Sequence, residues 1–377
     1  MLMGSVRRHR ALYESLWGRS RPPAWLRPGL APLWLASHAY GALVRGRQWS
    51  YARGLCRTRR LPCLVVSIGN LTLGGTGKTP LAMWVARWYQ QHGWRVAVLS
   101  RGYGARPGAP RRVVSAGAGP LVEWRAAGDE PYLLACALPG VPVCIGKNRY
   151  ETGRYAYERF GAQVLVLDDG FQHYALHRDC DIVLIDASNP FGHGSLVPRG
   201  ILREPLQALR RAHAVVLTRV ELAGKGLPAL CAQIRRWAGQ QPIYHMRTVA
   251  ESVQRWPTEE QQSLEALRHC RVVTFAGIGN PQAFVTTVRD LGAEVAACLV
   301  FHDHHPYSAE DWCRILEVAR QHQAQYLLTT EKDAVRLDPA WQTSLPLLIL
   351  RIGVTFTTDG PLLAHQLPVP AHATDAR

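Results

Sequence analysis

Residues Val65 to Thr79 read VVSIGNLTLGGTGKT, in which a β-branched apolar run leads into a glycine-rich turn followed by Lys-Thr. This order is typical of a phosphate-binding loop, because glycines let backbone N–H groups converge on phosphate oxygens. Lys78 is placed to contact the β- and γ-phosphates, and the Thr79 hydroxyl to bind Mg²⁺. The helix predicted to begin here adds positive partial charge at its N-terminus. The sequence therefore predicts a nucleoside triphosphate site.

The loop departs from the general pattern at its first position. Thr72 stands where G-x-x-x-x-G-K-[ST] has its first glycine, and the core from Gly74 to Thr79 instead matches G-G-x-G-K-T of another branch of P-loop proteins. Partition ATPases of that branch carry a lysine where this chain has Leu73. A fortuitous glycine-rich turn is the alternative, and the strand predicted before it and the helix predicted after it argue against that.

The composition is that of a folded protein from a reducing compartment. The chain has 377 residues, of which 47% are hydrophobic and 19% are charged, which excludes a disordered chain and allows two domains. Its nine cysteines are scattered without any C-x-x-C pair. This pattern favours reduced thiols in the cytosol over a disulfide framework or a structural zinc site.

The positive charge is concentrated in the first third of the chain. The net charge is +16, and residues 1–122 hold 19 of the 44 Lys and Arg residues but only one of the 28 acidic residues, Glu14. Such a local excess indicates an anionic partner: a nucleic acid, an anionic bilayer or a phosphorylated substrate.

The N-terminal segment predicts a helix at a membrane surface. Residues 28–44 are uncharged, but prolines and a glycine interrupt them, and they fall short of the about 20 apolar residues of a spanning helix. Tryptophans and arginines surround this segment, as in helices that lie in the headgroup layer. An ordinary helix packed on the domain and a nucleic-acid site are the alternatives. The face predicted to be interfacial contains Leu33, Ala36, Tyr40, Leu43 and Val44.

Strand-like runs alternate with helical stretches, which predicts an α/β fold: a P-loop NTPase-like, doubly wound, mostly parallel sheet. Strands are predicted at 61–68, 95–100, 141–146, 164–168, 181–187 and 214–219, and helices at about 79–92, 130–138, 148–160 and 204–212. A change of character near 240–256 predicts a second, smaller α/β domain, with strands at 272–275, 295–301, 326–330 and 347–352 and a helix at 309–322. The predicted division is a basic helical segment (1–60), a P-loop core (61–240) and a C-terminal domain with a flexible tail (241–377).

Acidic residues stand at places where phosphoryl-transfer chemistry needs them. Asp168 and Asp169 end the buried run that begins at Val164, where P-loop enzymes hold a metal directly or through water. Glu204 adds one more acid near that metal. Asp129, in the run GDEP, is a candidate base for a hydroxyl acceptor, and an N-cap of the next helix is the alternative.

Three histidines and an aspartate lie together in the run HDHH at residues 302–305. Metal ligation is one interpretation, although no zinc-type motif is present. A histidine that orients a carboxylate fits better, and a histidine-rich surface loop is the remaining alternative.

Cations follow several of the predicted strands. Arg101 and Tyr103 lie in SRGYG after one strand, and Arg149 lies in GKNR after another. Arg203, in GILREP, offers a fork for a phosphate. Because the carboxyl ends of parallel strands meet at one edge of a sheet, we expect these residues to face the same ligand-binding edge.

With these motifs in place, the chain resembles the tetraacyldisaccharide 4′-kinase family of lipid A biosynthesis, from near its start to about residue 360. Thr72 is no departure from this family, whose loop also lacks the first glycine. The motifs that carry the resemblance, in the family's order, are Gly69–Pro80, Ser100–Gly104, Gly128–Pro131, Asp168–His173, Gly200–Pro205, Phe275–Ile278, Phe301–His304 and Thr330–Asp333.

The resemblance implies ATP- and Mg²⁺-dependent phosphorylation of the 4′-hydroxyl of a tetraacyl disaccharide 1-phosphate, by a peripheral enzyme on the cytoplasmic face of a Gram-negative inner membrane. It implies a proton acceptor, Asp129, assisted by His304 or its neighbour His305, with Lys78 as the further catalytic residue. The other implied roles are ATP binding by Gly74, Gly75, Thr76, Gly77, Lys78 and Thr79, metal binding by Thr79, Asp168, Asp169 and Glu204, and substrate binding by Arg101, Tyr103, Arg149, His173 and Arg203.

Two other functions are weighed against this one. A partition- or metallochaperone-type switch ATPase that binds DNA or protein predicts a lysine in place of Leu73 and needs no interfacial segment. A small-molecule kinase differs in that residues 1–60 would not bind vesicles. The expected partners are the lipid A precursor and an anionic membrane surface, with no nucleic acid and no obligate protein partner.

Overall fold

A computed structural model describes residues 30–106, 108, 111–258, 260–343, 345–357 and 363–370, without the side chain of residue 225. The tryptophans and arginines of segment 1–29 and most of the predicted flexible tail lie outside the described residues.

The chain divides into two compact units. Unit 1 draws its described residues from Met1–Arg101, Asn148–Arg247 and Phe356–Arg377, and unit 2 from Gly102–Lys147 and Thr248–Thr355. The predicted division at about residues 60 and 240 differs from these units and stays a prediction.

The described residues form strands and helices in alternation. The strands are β1 (Leu64–Asn70), β2 (Val96–Ser100), β3 (Arg111–Ser115), β4 (Val143–Gly146), β5 (Val164–Asp168), β6 (Cys180–Asp186), β7 (Ala214–Thr218), β8 (Ile243–Trp256), β9 (Gln261–Gln262), β10 (Arg271–Ala276), β11 (Glu294–Val300), β12 (Tyr326–Thr330) and β13 (Leu347–Phe356). The helices are α1 (Ala31–Ala52), α2 (Lys78–Gln91), α3 (Trp124–Ala127), α4 (Asp129–Ala137), α5 (Arg149–Phe160), α6 (Leu227–Ala238), α7 (Pro281–Asp290), α8 (Ala309–Gln321) and α9 (Glu331–Ala334).

Unit 1 is built on parallel strands in the order β8-β7-β6-β1-β5-β2. The strands β2, β5, β6 and β7 are buried along their whole length, as expected for parallel strands covered on both faces. Helix α2 packs against β1, β2 and β5, and α6 packs beside a short 3₁₀ helix. The predicted α/β class with a mostly parallel, P-loop NTPase-like sheet is confirmed.

Two elements differ from the predictions. The helix predicted at 204–212 is a 3₁₀ helix over Leu206–Arg211, which follows Pro205. The long strand β8 occupies the region near 240–256, and the division between the two units after Arg247 lies within it. Strand β3 was not predicted, because its first residues are arginines, and it pairs antiparallel with β4.

Helix α1 packs on the rest of unit 1 through small and polar side chains. The Ser37 hydroxyl donates to the carbonyl of Leu196 over 2.8 Å, and the Tyr40 hydroxyl donates to the carbonyl of Arg203 over 2.9 Å. A Cβ added at Gly41 would lie 2.8 Å from the Leu196 side chain, so glycine lets the helix approach closely. No described helix is both long and apolar enough to cross a bilayer.

The predicted interfacial face of α1 is only partly outward. Ala36 and Leu43 are exposed, whereas Leu33, Tyr40 and Val44 are half-buried. Periodicity identifies an apolar face but not how much of it other parts of the protein cover. The large apolar side chains that α1 exposes are Trp34 (53%), Leu35 (61%), Leu43 (74%) and Trp49 (54%).

Unit 2 is a smaller α/β layer. Its strands β11-β10-β12-β13 are parallel neighbours, and the last part of β8 pairs antiparallel with β9. Helix α8 begins with a capping box, in which Ser308 and Asp311 satisfy each other's backbone N–H groups. Aromatic residues fill one core cluster, where Phe275 contacts both Tyr307 and Trp312 edge-on. The predicted strands near 272–275, 326–330 and 347–352 are confirmed.

Gly69, the sixth residue of β1, is predicted to be irreplaceable by alanine. A Cβ at Gly69 would lie 2.5 Å from the Phe171 Cβ and 2.9 Å from its backbone nitrogen. We expect Gly69→Ala to lower the free energy of unfolding by about 1–3 kcal/mol through overpacking, measured by urea denaturation. Gly46→Ala, in α1 with nothing within 4 Å, should leave stability unchanged or slightly higher. Equal stability of the two variants would contradict the tight contact.

Candidate active site

The glycine-rich loop connects β1 to α2. Gly74 and Gly77 have φ of 103° and 86°, left-handed conformations that favour glycine. Gly77 immediately precedes α2, and Thr79 is buried in its first turn. Since the first N–H groups of a helix have no partner within the helix, they are available to an anion. The loop therefore has the backbone that the sequence predicted.

Asn70 holds the loop against the end of β1. Its side-chain amide is fully buried. The amide Nδ2 donates to the Thr76 hydroxyl over 3.0 Å, and the amide Oδ1 accepts from the Lys78 ammonium over 3.3 Å. The sequence places Asn70 in a motif but assigns it no role, because this contact exists only once the loop folds back on its strand.

Arg219 is a second residue that the sequence missed. It follows β7 with a left-handed φ of 53°, forms an ion pair with Asp186, and donates to the carbonyl of Gly75 over 3.0 Å. Its position after a strand was a visible signal, but a lone arginine at a strand end does not reveal that it anchors the loop.

Asp169 is held as a carboxylate by two cations. One amino group of Arg203 lies 3.0 Å and 2.9 Å from its two oxygens, and the Lys78 ammonium lies 3.6 Å away. Burial raises the pKa of Asp169, but Lys78 and Arg203 together lower it by more, so the pKa lies below its ordinary value. Asp168 ends β5 and is buried. The structure thus places Lys78, Arg203 and Asp169 together, as predicted from their motifs.

Glu204, which the sequence predicts near the metal, is enclosed by three hydrogen-bond donors. Its buried carboxylate accepts hydrogen bonds from Gln48 (2.9 Å), Tyr174 (2.9 Å) and Arg211 (2.8 Å), and Gln48 belongs to α1. Both oxygens are engaged, so this geometry makes Glu204 a link between α1 and the body of unit 1. The sequence shows an acid beside the loop but not the three donors around it.

A cationic neighbourhood surrounds His173. Burial, and after it the nearby arginines, Arg149 first and Arg101 among the others, lower the pKa of His173 to about 4, so its imidazole is neutral at pH 7. Burial also lowers the pKa of Arg149 to about 10, with Asp168 acting in the opposite direction. Three of the predicted substrate residues therefore lie near one another in unit 1. Tyr103 belongs to unit 2 and is largely exposed.

Asp129 opens α4 in unit 2 but does not cap it. The N-cap is Gly128, whose φ of 87° and closeness to the carbonyl of Tyr103 both favour glycine, and no side chain makes a capping hydrogen bond. The alternative role of Asp129 as an N-cap is therefore wrong. Its Oδ2 instead accepts a hydrogen bond from Nδ1 of His304 over 2.9 Å.

His304, and not His305, is the partner of Asp129. His304 has a left-handed φ of 59°, which turns it away from the direction of its neighbours. His305 contacts His302 over 2.8 Å and donates to Asp311 over 2.9 Å. Among the residues the structure describes, no group of three or more His, Cys, Asp and Glu is placed to hold a metal. The structure therefore favours the interpretation of HDHH as a loop that orients a carboxylate.

The sequence matches a family model described as tetraacyldisaccharide-1-P 4′-kinase (LpxK) over residues 30–368. A tetraacyldisaccharide 4′-kinase from Anaeromyxobacter dehalogenans (strain 2CP-C) is 48% identical over 328 residues, covering 87% of this chain and 86% of the relative. Another from Geobacter metallireducens is 42% identical over 327 residues, covering 87% of this chain and 92% of the relative.

Among solved structures, LpxK from Aquifex aeolicus in complex with ATP is similar to the whole fold. The TM-score is 0.71 at 31% identity, and the match covers 88% of this chain and 95% of that one. Such coverage includes residues from both compact units.

The pairing of His304 with Asp129 predicts a titration that can be observed. Hydrogen bonding to Asp129 raises the pKa of His304 above its ordinary value, although burial acts against it. The pair in which His304 is protonated therefore stabilises the fold. Its contribution is complete below about pH 6.5, the pKa of histidine in the unfolded chain, and it is lost as the pH rises through the higher pKa of His304 in the folded protein. NMR titration of the imidazole should show that Asp129→Asn lowers the pKa of His304. An unchanged pKa would mean that the pair does not form in solution, and His322→Gln, on another surface of unit 2, is the control.

Proposed function

The chain belongs to the tetraacyldisaccharide 4′-kinase family, and on that premise we propose how its residues carry out the reaction. The protein is an ATP-dependent lipid kinase that phosphorylates the 4′-hydroxyl of a tetraacyl disaccharide 1-phosphate precursor of lipid A. Family membership sets aside the switch-ATPase and small-molecule kinase alternatives. The observation that carries the residue roles is the 2.9 Å hydrogen bond between His304 and Asp129.

ATP binds with its phosphates on the loop of unit 1. The backbone N–H groups from Gly74 to Thr79 surround the phosphates, and Lys78 neutralises the β- and γ-phosphates. Lys78 is supported in this role because its present partners, Asn70 and Asp169, are both oxygen acceptors that a phosphate oxygen can replace. Phosphoryl transfer requires mainly positioning and charge neutralisation, which this loop supplies.

Thr79 and Asp168 are the residues that fit Mg²⁺. Mg²⁺ prefers oxygen ligands and takes one or two carboxylates together with phosphates and waters, so a hydroxyl and one carboxylate suffice. Asp169 is already paired with Lys78 and Arg203, and we assign it to holding those cations rather than the metal. When bound, Mg²⁺ supplies positive charge that offsets the charge on the transferred phosphoryl group.

Asp129 accepts the proton of the 4′-hydroxyl through its Oδ1. The hydroxyl oxygen forms a bond to the γ-phosphorus, the bond from that phosphorus to ADP breaks, and the proton passes to the carboxylate. His304 does not serve as the base, because Nδ1 faces Asp129 and Nε2 lies 3.9 Å from Asp303, which favours the doubly protonated ring. Oδ2 of Asp129 is engaged by His304, whereas no described residue donates to Oδ1.

Arg101 and Arg149 bind an anionic group of the lipid substrate. Arg149 is almost fully buried and keeps its charge, and Arg101 lies close enough to affect the pKa of both Arg149 and His173. Because His173 is neutral at pH 7, the positive charge of this neighbourhood belongs to the arginines and changes little with pH. Arginine is suited to planar, paired contacts with phosphate oxygens.

Helix α1 places the protein on an anionic membrane surface. It packs on unit 1 through a serine hydroxyl, a glycine and half-buried apolar side chains, and it leaves two tryptophans and two leucines exposed, an apolar surface of the kind that lipid covers. Arg45, Arg47 and Arg53 lie on the same helix or directly after it, where they reach lipid phosphates. Since ATP is available in the cytoplasm, we assign the enzyme to the cytoplasmic face of the inner membrane as a peripheral protein.

Asp129→Asn should lower kcat by about 10²–10⁴-fold with little change in the KM for ATP, because the amide cannot accept the proton. The assay follows labelled γ-phosphate from ATP to a tetraacyl disaccharide 1-phosphate in detergent micelles. Lys78→Ala is the matched comparison, since it should abolish turnover by removing the phosphate contact in unit 1. Near-normal kcat in Asp129→Asn would place the proton acceptor elsewhere.

Replacing Trp34 and Trp49 by serine should weaken binding to vesicles that contain anionic phospholipid. Burying a large apolar side chain contributes roughly 1.5–3 kcal/mol, so the double variant should bind at least about tenfold less tightly in co-sedimentation. Leu222→Ser removes a comparably exposed apolar group of unit 1 outside α1 and should have no effect. Unchanged binding of the double variant would move the membrane contact to another surface.

A further inference from the structure

We propose that Arg336 is a positioning residue that orients the carboxylate of Asp129, through a buried network centred on Gly277 in unit 2. This inference rests on the proposed function, in which Asp129 accepts the hydroxyl proton. Arg336 lies three residues after the run TEKD, and nothing in its sequence surroundings assigns it a part in the reaction.

The first step is the contact between Arg336 and Asp129. Nη1 of Arg336 lies 3.5 Å from Oδ2 of Asp129, the same oxygen that accepts from His304 over 2.9 Å. Two positive groups on one oxygen oppose rotation of the carboxylate, because turning it about the Cβ–Cγ bond would break both contacts. Oδ1, which accepts from no described residue, is thereby left to meet a hydroxyl group.

The second step is that Arg336 is itself immobile. Its side chain is 1% exposed, and Nη2 donates to Oδ1 of Asp333 over 2.5 Å. Asp333 is fully buried and also accepts from the backbone N–H of Gly277 and the hydroxyl of Tyr307, each over 2.8 Å. These donors satisfy the Asp333 carboxylate, whereas Nε and Nη1 of Arg336 have no hydrogen-bond partner among the described residues, which leaves Nη1 to face Asp129. Asp333 therefore balances the charge of Arg336 and fixes its direction.

The third step is that one backbone group accepts hydrogen bonds from both residues that contact Oδ2 of Asp129. The carbonyl of Gly277 accepts from Nη2 of Arg336 and from the backbone N–H of His304, each over 3.2 Å. A Cβ at Gly277 would lie 2.8 Å from the carbonyl of His302, so glycine permits this close arrangement. The position of Asp129 relative to His304 is thus set by a shared reference point.

A neighbouring ion pair supports the same attachment. Lys332 of α9 lies 3.3 Å from Glu130, the residue after Asp129. The first turn of α4 is therefore held at two successive residues by the segment from Lys332 to Arg336. The network has the arrangement expected of a support for a reacting group, whose orientation must be kept within a fraction of an ångström.

The test compares Arg336→Lys and Arg336→Ala with the intact protein in the lipid phosphorylation assay. We expect kcat to fall about 10- to 100-fold, because a reacting group displaced by about 1 Å costs that much, while both KM values change less than twofold. Arg336→Lys keeps a buried cation and should retain more activity than Arg336→Ala. Millimolar guanidinium added to Arg336→Ala should restore part of kcat, an effect that a general loss of stability would not produce.

The matched control is Arg351→Ala. It removes a half-buried arginine that pairs with Glu331 over 3.0 Å in unit 2 without a contact to Asp129. Its kcat should change less than twofold even where its melting temperature falls. Combining Arg336→Ala with His304→Ala should cost much less than the product of the two single losses, because both residues act through Asp129.

The outcomes separate this inference from the proposed function. If Asp129→Asn loses activity while both Arg336 variants keep normal kcat, Arg336 does not position the base and only this inference is overturned. The inference is also overturned if the loss of kcat in the Arg336 variants matches that in Arg351→Ala and guanidinium restores no activity to Arg336→Ala. If Asp129→Asn itself remains active, the proposed role of Asp129 fails whatever the Arg336 variants do.

Discussion

The parallel pairing of β1 with β5 is the constraint on which the nucleotide site depends. The register that sets Ile68 opposite Asp168 makes the two strands end side by side, so the loop that leaves β1 and the aspartates that end β5 have to be neighbours. Asn70 then ties the loop to the strand it has just left. Lys78 lies between these two features and contacts both. A shift of one residue in this pairing would separate the cation from its carboxylate.

Buried carboxylates in this protein are distinguished by what donates to them rather than by their sequence motifs. Asp169 is paired with cations that belong to the phosphate site, Glu204 is enclosed by three donors that fasten a helix, and Asp333 balances a buried arginine. Burying each of these carboxylates would cost free energy without such partners, because other groups must replace the hydration that a charge loses when it is buried. Asp129 differs from them, since one of its oxygens accepts from no described residue. That difference, rather than burial, is what supports the proposal that Asp129 accepts the proton of the hydroxyl group.

Helix α1 combines a close contact with unit 1 and an exposed apolar surface. Its contact with unit 1 uses a serine hydroxyl and a glycine that let it approach closely, and therefore leaves the bulky tryptophans and leucines to the outside. The link from Gln48 to Glu204 fixes the helix beside the region that holds Arg203 and Asp169. A lipid kinase benefits from this arrangement, because its substrate is presented at a surface.

The sequence alone determined the class of fold and the phosphate loop, because strand periodicity, glycine positions and a Lys-Thr pair are local signals that require no knowledge of distant residues. It also drew attention to Asp129 and to the histidine run, but left open which histidine was relevant and whether Asp129 capped a helix. Those questions depended on the left-handed turn at His304 and on Gly128 taking the capping position. Only the tertiary structure decided that Arg336 contacts Asp129 and which side chains α1 exposes, because both follow from contacts between residues far apart in the chain, which periodicity and motif spacing do not encode.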